Sequence, residues 1–419
     1  MMRALSGWGR EVAPVGAILA VVVAVAAVWL ALDRRPPEWD HANHLERAVR
    51  CAGDLARRDL PAILERSSFY PPLVLCAAGL AYLLAPSDVA AAQSVVLAFL
   101  GLGTGAVYVL ARRFAGATEG VVAALVFATA PFVVFSSLRF QLDLPLASMV
   151  ALMLVVLLRT DTFEHRGWSV ATGLVLGLGM LTKPPFAAYV LAPLVVVAAR
   201  IRARRALANL ALAALIGGGS RSFRQAAESG HPEPLTAAAL MLYPRWFPTQ
   251  LGLIAVLLFV LGLGVAARRR HWLLLASVLP AFALFELLQN KNLRYTLPLL
   301  PVAAVLAGLG FGALPARLRD GGRVLLIVAG VVQVSATVFG VPHVSVPLLD
   351  VPFVVETPPV RGDWRHREIL ALLALDSRGA PATVSVVPND NFFSASNFRY
   401  YALRDGLRLK VGRAWEGEP

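Results

Sequence analysis

Long apolar runs alternate with short polar segments along most of the sequence. A helix needs about 20 apolar residues to cross the hydrocarbon core of a bilayer, and most of the runs are near that length. They cover residues 12–32, 88–110, 118–136, 142–159, 168–182, 184–199, 206–219, 249–266, 272–289, 293–313 and 323–340. The pattern predicts an all-α polytopic membrane protein with about eleven transmembrane helices.

Arginine clusters indicate how these helices are oriented. Every second connection is basic, and the connections between them, around residues 137–143, 183, 220–248 and 290–292, carry few positive charges. The basic connections hold Arg112-Arg113, residues 159–166, residues 200–205, residues 268–270 and residues 317–323. Because basic loops stay in the cytoplasm, the amino terminus is predicted to be cytoplasmic. This alternation requires that the short apolar segment 70–85, which opens with Tyr70-Pro71-Pro72, lies on the outer surface as a juxtamembrane helix.

Composition agrees with a membrane protein. Of the residues, 58% are hydrophobic and 16% are charged, whereas a soluble domain is about 25% charged. The net charge of +13 is carried mainly by the arginine clusters, so we interpret it as a topology signal and expect no nucleic-acid partner. The expected location is a bacterial inner (plasma) membrane, and the lipid bilayer is the first predicted partner.

Two stretches are predicted to lie outside the membrane. Residues 33–87 form a first outer loop with juxtamembrane helices inside a transmembrane domain that covers residues 1–340. Residues 341–419 form a small extracytoplasmic α/β domain, with a helix at 368–375 and strands at 383–387 and 407–411. Its small size leaves open whether the chain is truncated.

Two local features also stay open. The glycine-rich residues 217–220 are either a bend or a linker. Cys51 and Cys76, both in the predicted outer loop, form either one disulfide or two free thiols, and two cysteines are too few for a disulfide framework.

Six ionisable residues fall at predicted outer helix ends. An ionisable side chain at membrane depth costs about 2.5–3.5 kcal/mol on insertion scales, so its presence needs a reason. For each residue alone, snorkelling to the headgroups is an adequate explanation. Their occurrence on one side predicts instead a shared polar site. The six are Asp40, Arg139, Asp143, Lys183, Lys291 and Arg294.

Asp40 is the candidate general base. It follows the first apolar run, and on a helix it would share a face with His44. A carboxylate at the membrane surface can take the proton of an acceptor hydroxyl. The alternatives are that Asp40 caps the loop helix, or that Asp40, His41 and His44 bind a metal. We assign no metal site and no cofactor, and a divalent cation stays open.

The cations are candidates for binding a phosphate. Arg139 and Asp143 lie one helical turn apart, so they either pair with each other or bind a phosphate and a sugar hydroxyl. Lys183 stands alone at the break between two predicted spans, where a point charge suits a phosphate. Lys291, Arg294 and Tyr295 follow at another outer helix start.

Five segments, in this order, resemble the GT-C membrane glycosyltransferases, and within them the protein O-mannosyltransferase and aminoarabinose-transferase superfamily (glycosyltransferase family 39-like). The resemblance covers roughly residues 10–340. The segments are the acidic residue after the first span, Tyr-Pro-Pro-Leu (70–73), Arg-Phe-Gln-Leu-Asp (139–143), Gly-Leu-Gly-Met-Leu-Thr-Lys (177–183) and Lys-Asn-Leu-Arg-Tyr-Thr-Leu-Pro-Leu-Leu-Pro (291–301).

The resemblance implies an inverting transferase that moves a sugar from a polyprenyl-phosphate carrier to an outer acceptor, which is a protein, a lipid or a glycan. Asp40 matches the catalytic aspartate, and Tyr70 opens the second juxtamembrane helix. Lys183 and Arg294 match positions that face the carrier phosphate. The family usually has glutamate where this chain has His41. Two other hypotheses remain: a transporter or flippase of an anionic lipid, and a catalytically inactive scaffold.

Overall fold

The computed structural model describes residues 2–67, 70–217, 236–288, 290–343, 345–346 and 351–414. It divides into two compact units, which are described separately. Unit 1 comprises Met1–Val25, Ala98–Ser136 and Leu142–Thr357, and unit 2 comprises Ala26–Leu97, Ser137–Gln141 and Pro358–Pro419. The predicted domain boundary at residue 340 stays a prediction.

Helices dominate the described chain. In the first half they are α1 (Met2–Leu32), α2 (Trp39–Ala56), α3 (Leu60–Arg66), α4 (Pro72–Leu84), α5 (Val89–Ala115), α6 (Ala117–Thr129), α7 (Pro131–Ser137), α8 (Asp143–Arg159), α9 (Arg166–Met180), α10 (Phe186–Ala198) and α11 (Arg204–Gly217). The second half contains α12 (Ala237–Leu240), α13 (Leu242–Leu251), α14 (Leu253–Arg268), α15 (Trp272–Leu287), a 3₁₀-helix (Leu293–Leu299), α16 (Leu300–Gly312), α17 (Ala316–Phe339), α18 (His366–Asp376) and α19 (Ala395–Arg404).

The strands are few and short. β1 (Ser345–Val346) pairs antiparallel with β2 (Val351–Pro352), and β3 (Ala382–Val386) pairs parallel with β4 (Leu409–Arg413). The mostly helical fold with a small C-terminal α/β region is therefore confirmed. Residues 218–220 of the glycine-rich bend or linker, and residues 415–419, lie outside the described part of the chain.

Several helices are long and apolar enough to cross a membrane. Judged by length and composition, the described residues contain four such helices: Glu11–Leu32, Val89–Ala115, Leu293–Gly312 and Ala316–Phe339. Two bent pairs raise the number to six: α6 with α7, bent by 57°, and Ala237–Leu251 with α14, bent by 115°.

Unit 1 is held together by close helix packing. α16 is buried along most of its length and packs against α14, where Gly262 and Gly310 let the backbones approach. A Cβ at Gly262 would lie 1.8 Å from the Leu306 carbonyl oxygen, so this contact admits only glycine. Membrane helices usually associate through small residues that pack closely. The hydrophobic effect does not drive this association, because lipid tails are as apolar as the side chains.

Unit 2 combines α2, α3 and α4 with the C-terminal α/β region. α19 connects β3 to the parallel strand β4 and packs against α2. Leu370, Val386, Phe398 and Val411 form the core of the α/β region. α18 and the two strands lie within one or two residues of their predicted positions. α19 was not predicted from the sequence.

A disulfide joins α2 to α4. Cys51 and Cys76 are bonded, with Cα atoms 5.4 Å apart, which settles the alternatives left open by the sequence. Gly79 makes the approach possible, because a Cβ there would lie 2.9 Å from the backbone nitrogen of Ala52. The bond closes a loop between residues 25 positions apart.

We expect the double variant Cys51→Ser/Cys76→Ser to lose about 3 kcal/mol of unfolding free energy, because the open loop gains entropy in the unfolded chain. Chemical unfolding of the full chain in detergent measures this loss. Reductant should lower the stability of the wild type similarly and leave the double variant unchanged. Equal stability of the wild type with and without reductant would contradict the prediction.

A buried histidine makes the C-terminal region sensitive to acid. Burial lowers the pKa of His366 to about 4, and the Phe392 backbone and Asp363 only partly oppose this. The imidazole centroid lies 4.8 Å from the Phe393 ring centroid and 4.6 Å from that of Phe398, with the rings tilted by 46° in both pairs. In the unfolded chain the pKa is near 6.5, so the unfolded state takes up the proton first as the pH falls.

We therefore expect the stability supplied by neutral His366 to be complete above about pH 6.5 and to disappear as the pH falls towards about 4. Thermal unfolding of the full chain between pH 7 and pH 4.5 measures this. The variant His366→Phe keeps the aromatic packing and should lose this part of the pH dependence. An unchanged pH dependence in that variant would exclude His366 as its source.

Candidate active site

Asp40 lies in the first turn of α2, in unit 2. The N-cap residue of this helix is Glu38, not Asp40, so the alternative role of Asp40 as the helix cap is wrong. Residues of the C-terminal α/β region form hydrogen bonds with the backbone just before Asp40. The Asn397 side chain donates a 2.5 Å hydrogen bond to the Pro37 carbonyl, and the Trp39 amide donates to the Asn391 carbonyl at 2.8 Å.

Two histidines follow Asp40 on α2. His41 and His44 are each about 4% exposed. The His44 ring meets the edge of Tyr70, with centroids 4.8 Å apart. Within the described residues, no group of three or more His, Cys, Asp or Glu side chains has the geometry to hold a metal ion, so Asp40, His41 and His44 do not form one.

Arg139 is fixed by a residue that the sequence analysis did not select. Its Nε and Nη2 atoms donate to one carboxylate oxygen of Glu38, at 3.0 and 2.9 Å. Burial lowers the pKa of Arg139, and the Glu38 charge opposes this. Glu38 stands two positions before Asp40 in the chain. Its acidic charge was visible in the sequence, but its partner lies 101 residues away.

A cavity of about 440 Å³ opens along the α2 face that carries Asn43 and Arg47. The buried Asp54 carboxylate, 1% exposed, forms an ion pair with the Arg57 guanidinium at 2.7 Å and a second ion pair with Arg66. On the same helix, Glu46 pairs with Arg50 at 2.8 Å. The lining consists of Asn43, Glu46, Arg47, Arg50, Cys51, Asp54, Ile63, Arg66, Ser67, Tyr70, Pro72, Leu75, Cys76 and Arg399.

The cavity combines four arginines with two carboxylates, so its lining carries a net positive charge. Arg47 lies over the Tyr70 ring at 4.9 Å, and Arg399 reaches Glu46 at 3.9 Å. These arginines were not among the predicted site residues. The helical spacing of residues 43, 46, 47, 50 and 54 was the signal that would have found those on α2.

Unit 1 contains a second group of predicted site residues. Lys183, at the turn between α9 and α10, contacts the Asp143 carboxylate at 2.6 Å. The side chains are 19% and 4% exposed, so the ion pair is largely shielded from water. Asp143 also lies in electrostatic range of Tyr189, whose hydroxyl donates to the Tyr295 carbonyl at 2.6 Å. The structure thus pairs Lys183 with Asp143 and brings Asp143 and Tyr295 close to Tyr189.

Lys291 and Arg294 have different surroundings. The Lys291 amine is 1% exposed, contacts Glu286 at 3.0 Å and donates to the Phe285 carbonyl at 3.2 Å. Arg294 is half-buried, and its Nε donates to the Asn292 side chain at 3.3 Å. Lys291 therefore has a buried anionic partner of its own. Its predicted part in substrate binding, like that of Arg294, stays a prediction.

Comparison with known proteins identifies part of the chain. Residues 70–218, which include Tyr70, Arg139, Asp143 and Lys183, match the family described as dolichyl-phosphate-mannose-protein mannosyltransferase. This confirms the resemblance inferred from the motifs. No curated protein sequence matches the chain.

Solved structures show the same fold. ArnT from Cupriavidus metallidurans in the apo state is 20% identical, with a TM-score of 0.56 over 81% of this chain. The same protein bound to undecaprenyl phosphate gives a TM-score of 0.58 over 78%. The Archaeoglobus fulgidus oligosaccharyltransferase in the apo form gives 0.57 over 95%, at 12% identity. The chain spans 65–66% of the length of these proteins. It is a multi-pass membrane protein with GT-C-like structural neighbours.

Proposed function

We propose that the chain is an inverting glycosyltransferase that moves a sugar from a polyprenyl-phosphate carrier to an acceptor hydroxyl outside the cytoplasm. The observation that carries this proposal is the ion pair of Lys183 with Asp143 inside the segment that matches the mannosyltransferase family. One of the structural neighbours binds undecaprenyl phosphate, which supports a carrier of that chemistry.

Lys183 and Arg294 bind the carrier phosphate in this proposal. A lysine amine is a compact charge with three donors, so Lys183 can keep Asp143 as one partner and offer a second donor to a phosphate oxygen. Asp143 fixes the amine from the other side. Tyr295 packs on Phe285 with ring centroids 5.3 Å apart, and Phe285 stacks 5.1 Å from the buried Tyr189. Tyr295 is the half-buried ring of the three and is the one proposed to contact the sugar or the prenyl chain.

Asp40 is the proposed general base. Its carboxylate accepts the proton of the acceptor hydroxyl as the acceptor oxygen forms its bond to the anomeric carbon. The bond between that carbon and the phosphate oxygen breaks, and its electron pair leaves with the polyprenyl phosphate. The attack comes from the face opposite the phosphate, so the anomeric configuration inverts. Arg139, Lys183 and Arg294 offset the negative charge that develops on the departing phosphate.

The acceptor enters through the arginine-lined cavity in this proposal. Asn43 and Arg47 line it, and they lie three and seven positions after Asp40 on the same helix, so they share its face. Tyr70, the first residue of the Tyr-Pro-Pro-Leu segment, closes the cavity beside His44. The acceptor class (protein, lipid or glycan) is left unassigned.

We also propose the topology of about eleven spans, with α2 and α4 outside the cytoplasm. The disulfide between Cys51 and Cys76 supports this placement, because disulfides persist in oxidising compartments and are rare in the cytosol. The short helices α8 to α11 and α15 would complete the set of spans.

Binding of undecaprenyl phosphate tests the carrier assignment. We expect the purified full chain to bind it, and Lys183→Gln to bind it at least tenfold more weakly, because one charge-assisted contact contributes about 1.5–3 kcal/mol. Lys410→Gln, at an exposed position on β4, removes the same charge elsewhere and should bind as the wild type does. Equal binding by the wild type and Lys183→Gln would overturn the assignment.

A further inference from the structure

A second charged cavity lies in unit 1, apart from the residues proposed for sugar transfer. It has a volume of about 400 Å³, within the ~300–1,000 Å³ of typical small-molecule sites. It opens between the carboxyl-terminal ends of α5 and α8. It is lined by Val109, Leu110, Arg112, Arg113, Val155, Leu158 and Arg159.

The helix pair that forms this cavity is in close contact near its middle. The Ser148 hydroxyl of α8 donates to the Phe99 carbonyl of α5 at 2.6 Å. The absence of a side chain at Gly103 makes room for Ser148, because a Cβ at residue 103 would lie 2.6 Å from the Ser148 hydroxyl oxygen. The cavity begins only beyond this contact. At helical rise its arginines lie about 14–17 Å further along, counted from Gly103 on α5 and from Ser148 on α8.

The charged side chains that line the cavity are all positive. Three of the seven lining residues are arginines and none is acidic. Glu11 of α1 pairs with Arg112 at 2.7 Å and compensates one charge. Arg159 lies over the Trp168 ring at 5.5 Å, and the Arg113 side chain is exposed. The guanidinium groups also outweigh the partial negative charge at the carboxyl-terminal ends of the two helices.

The remaining lining is aliphatic, which distinguishes this cavity from a site for a soluble anion. Val109, Leu110, Val155 and Leu158 form its walls, and α5 is long and apolar enough to cross the membrane. Trp168, 40% exposed, is a residue type that prefers the membrane interface. Basic pockets between membrane helices bind anionic lipid headgroups.

We propose that this cavity is a binding site for an anionic phospholipid of the bilayer. Arg113 and Arg159 hold the phosphodiester, Arg112 is oriented by Glu11, and the aliphatic walls receive the glycerol and the first part of an acyl chain. The two arginine clusters thus form one lipid site in addition to orienting the chain. This site does not depend on the proposed transferase activity.

The test uses the purified full chain in neutral detergent, with native mass spectrometry to measure bound lipid. Phosphatidylglycerol is the anionic probe, phosphatidylcholine the zwitterionic probe, and sodium phosphate the soluble competitor. We expect phosphatidylglycerol to be retained in preference to phosphatidylcholine, and not to be displaced by equimolar phosphate. The double variant Arg113→Gln/Arg159→Gln should bind phosphatidylglycerol about 30-fold more weakly, because each arginine contributes about a fivefold factor.

The matched control is Arg268→Gln/Arg269→Gln, which removes two exposed arginines from another basic connection. It should retain wild-type binding. An equal loss in both variants would show diffuse attraction and overturn the site. Equal retention of the two lipids, or displacement by phosphate, would also overturn it. As an independent measurement, a photoreactive phosphatidylglycerol should label peptides from the ends of α5 and α8. Labelling of other segments only would contradict the proposal.

Discussion

Asp40→Asn is expected to lower the rate of sugar transfer about 10²–10⁴-fold, the usual contribution of a positioned general base. Asparagine has nearly the same shape, but its amide cannot take the acceptor proton. The chain should stay folded, since Asp40 is half-exposed and is not the N-cap of α2. Initial rates of transfer from a radiolabelled polyprenyl-phosphate sugar measure the effect.

Glu65→Gln is the matched control for this variant. Glu65 is exposed on α3 of the same unit, and its substitution removes the same charge outside the proposed site. It should transfer sugar at the wild-type rate. Undecaprenyl phosphate should bind to Asp40→Asn as tightly as to the wild type, which would separate a lost base from a lost fold. A fully active Asp40→Asn would remove Asp40 from its proposed role.

Lys183→Gln is expected to lower the transfer rate about 10²–10³-fold, the usual loss when one preorganised donor to a developing negative charge is removed. This substitution also leaves the buried Asp143 carboxylate without the Lys183 charge. Removing one partner of a buried ion pair costs about 3–5 kcal/mol of stability. The rate must therefore be measured together with thermal unfolding.

A double variant separates the two effects of Lys183. Lys183→Gln/Asp143→Asn removes both charges, so the fold should regain most of its stability while transfer stays low. Lys183→Arg keeps the charge and should retain more activity than Lys183→Gln. Recovery of transfer in the double variant would mean that Lys183 only neutralises Asp143, and that the phosphate has another ligand.

The positions of the helices could be predicted from the sequence because their cause is local. An apolar run of sufficient length needs a bilayer, and α1, α5 and α17 lie close to the predicted runs. The bends could not be predicted, because Pro131 and Gly252 interrupt runs whose hydropathy continues. α19 was missed because its apolar residues, such as Phe398, are interspersed with polar ones that bond to other segments.

The candidate site was predictable as a set of residues but not as a set of contacts. Asp143 and Lys183 were selected because charges are costly beside apolar runs, and this reasoning holds for each residue separately. Their pairing joins positions 40 residues apart, and that of Arg139 with Glu38 joins positions 101 apart. Tertiary packing alone creates such contacts. The disulfide was undecidable for the same reason.

The measurement that tests the central claim most directly uses the full chain in liposomes with a polyprenyl-phosphate donor that carries a radiolabelled sugar, plus a membrane extract as the source of acceptor. We predict that label leaves the donor, that one polyprenyl phosphate appears for each sugar transferred, and that no nucleotide is needed. Movement of intact labelled donor across the bilayer would indicate a flippase. A donor that stays intact and in place would indicate an inactive scaffold, and either result would contradict the proposed transferase.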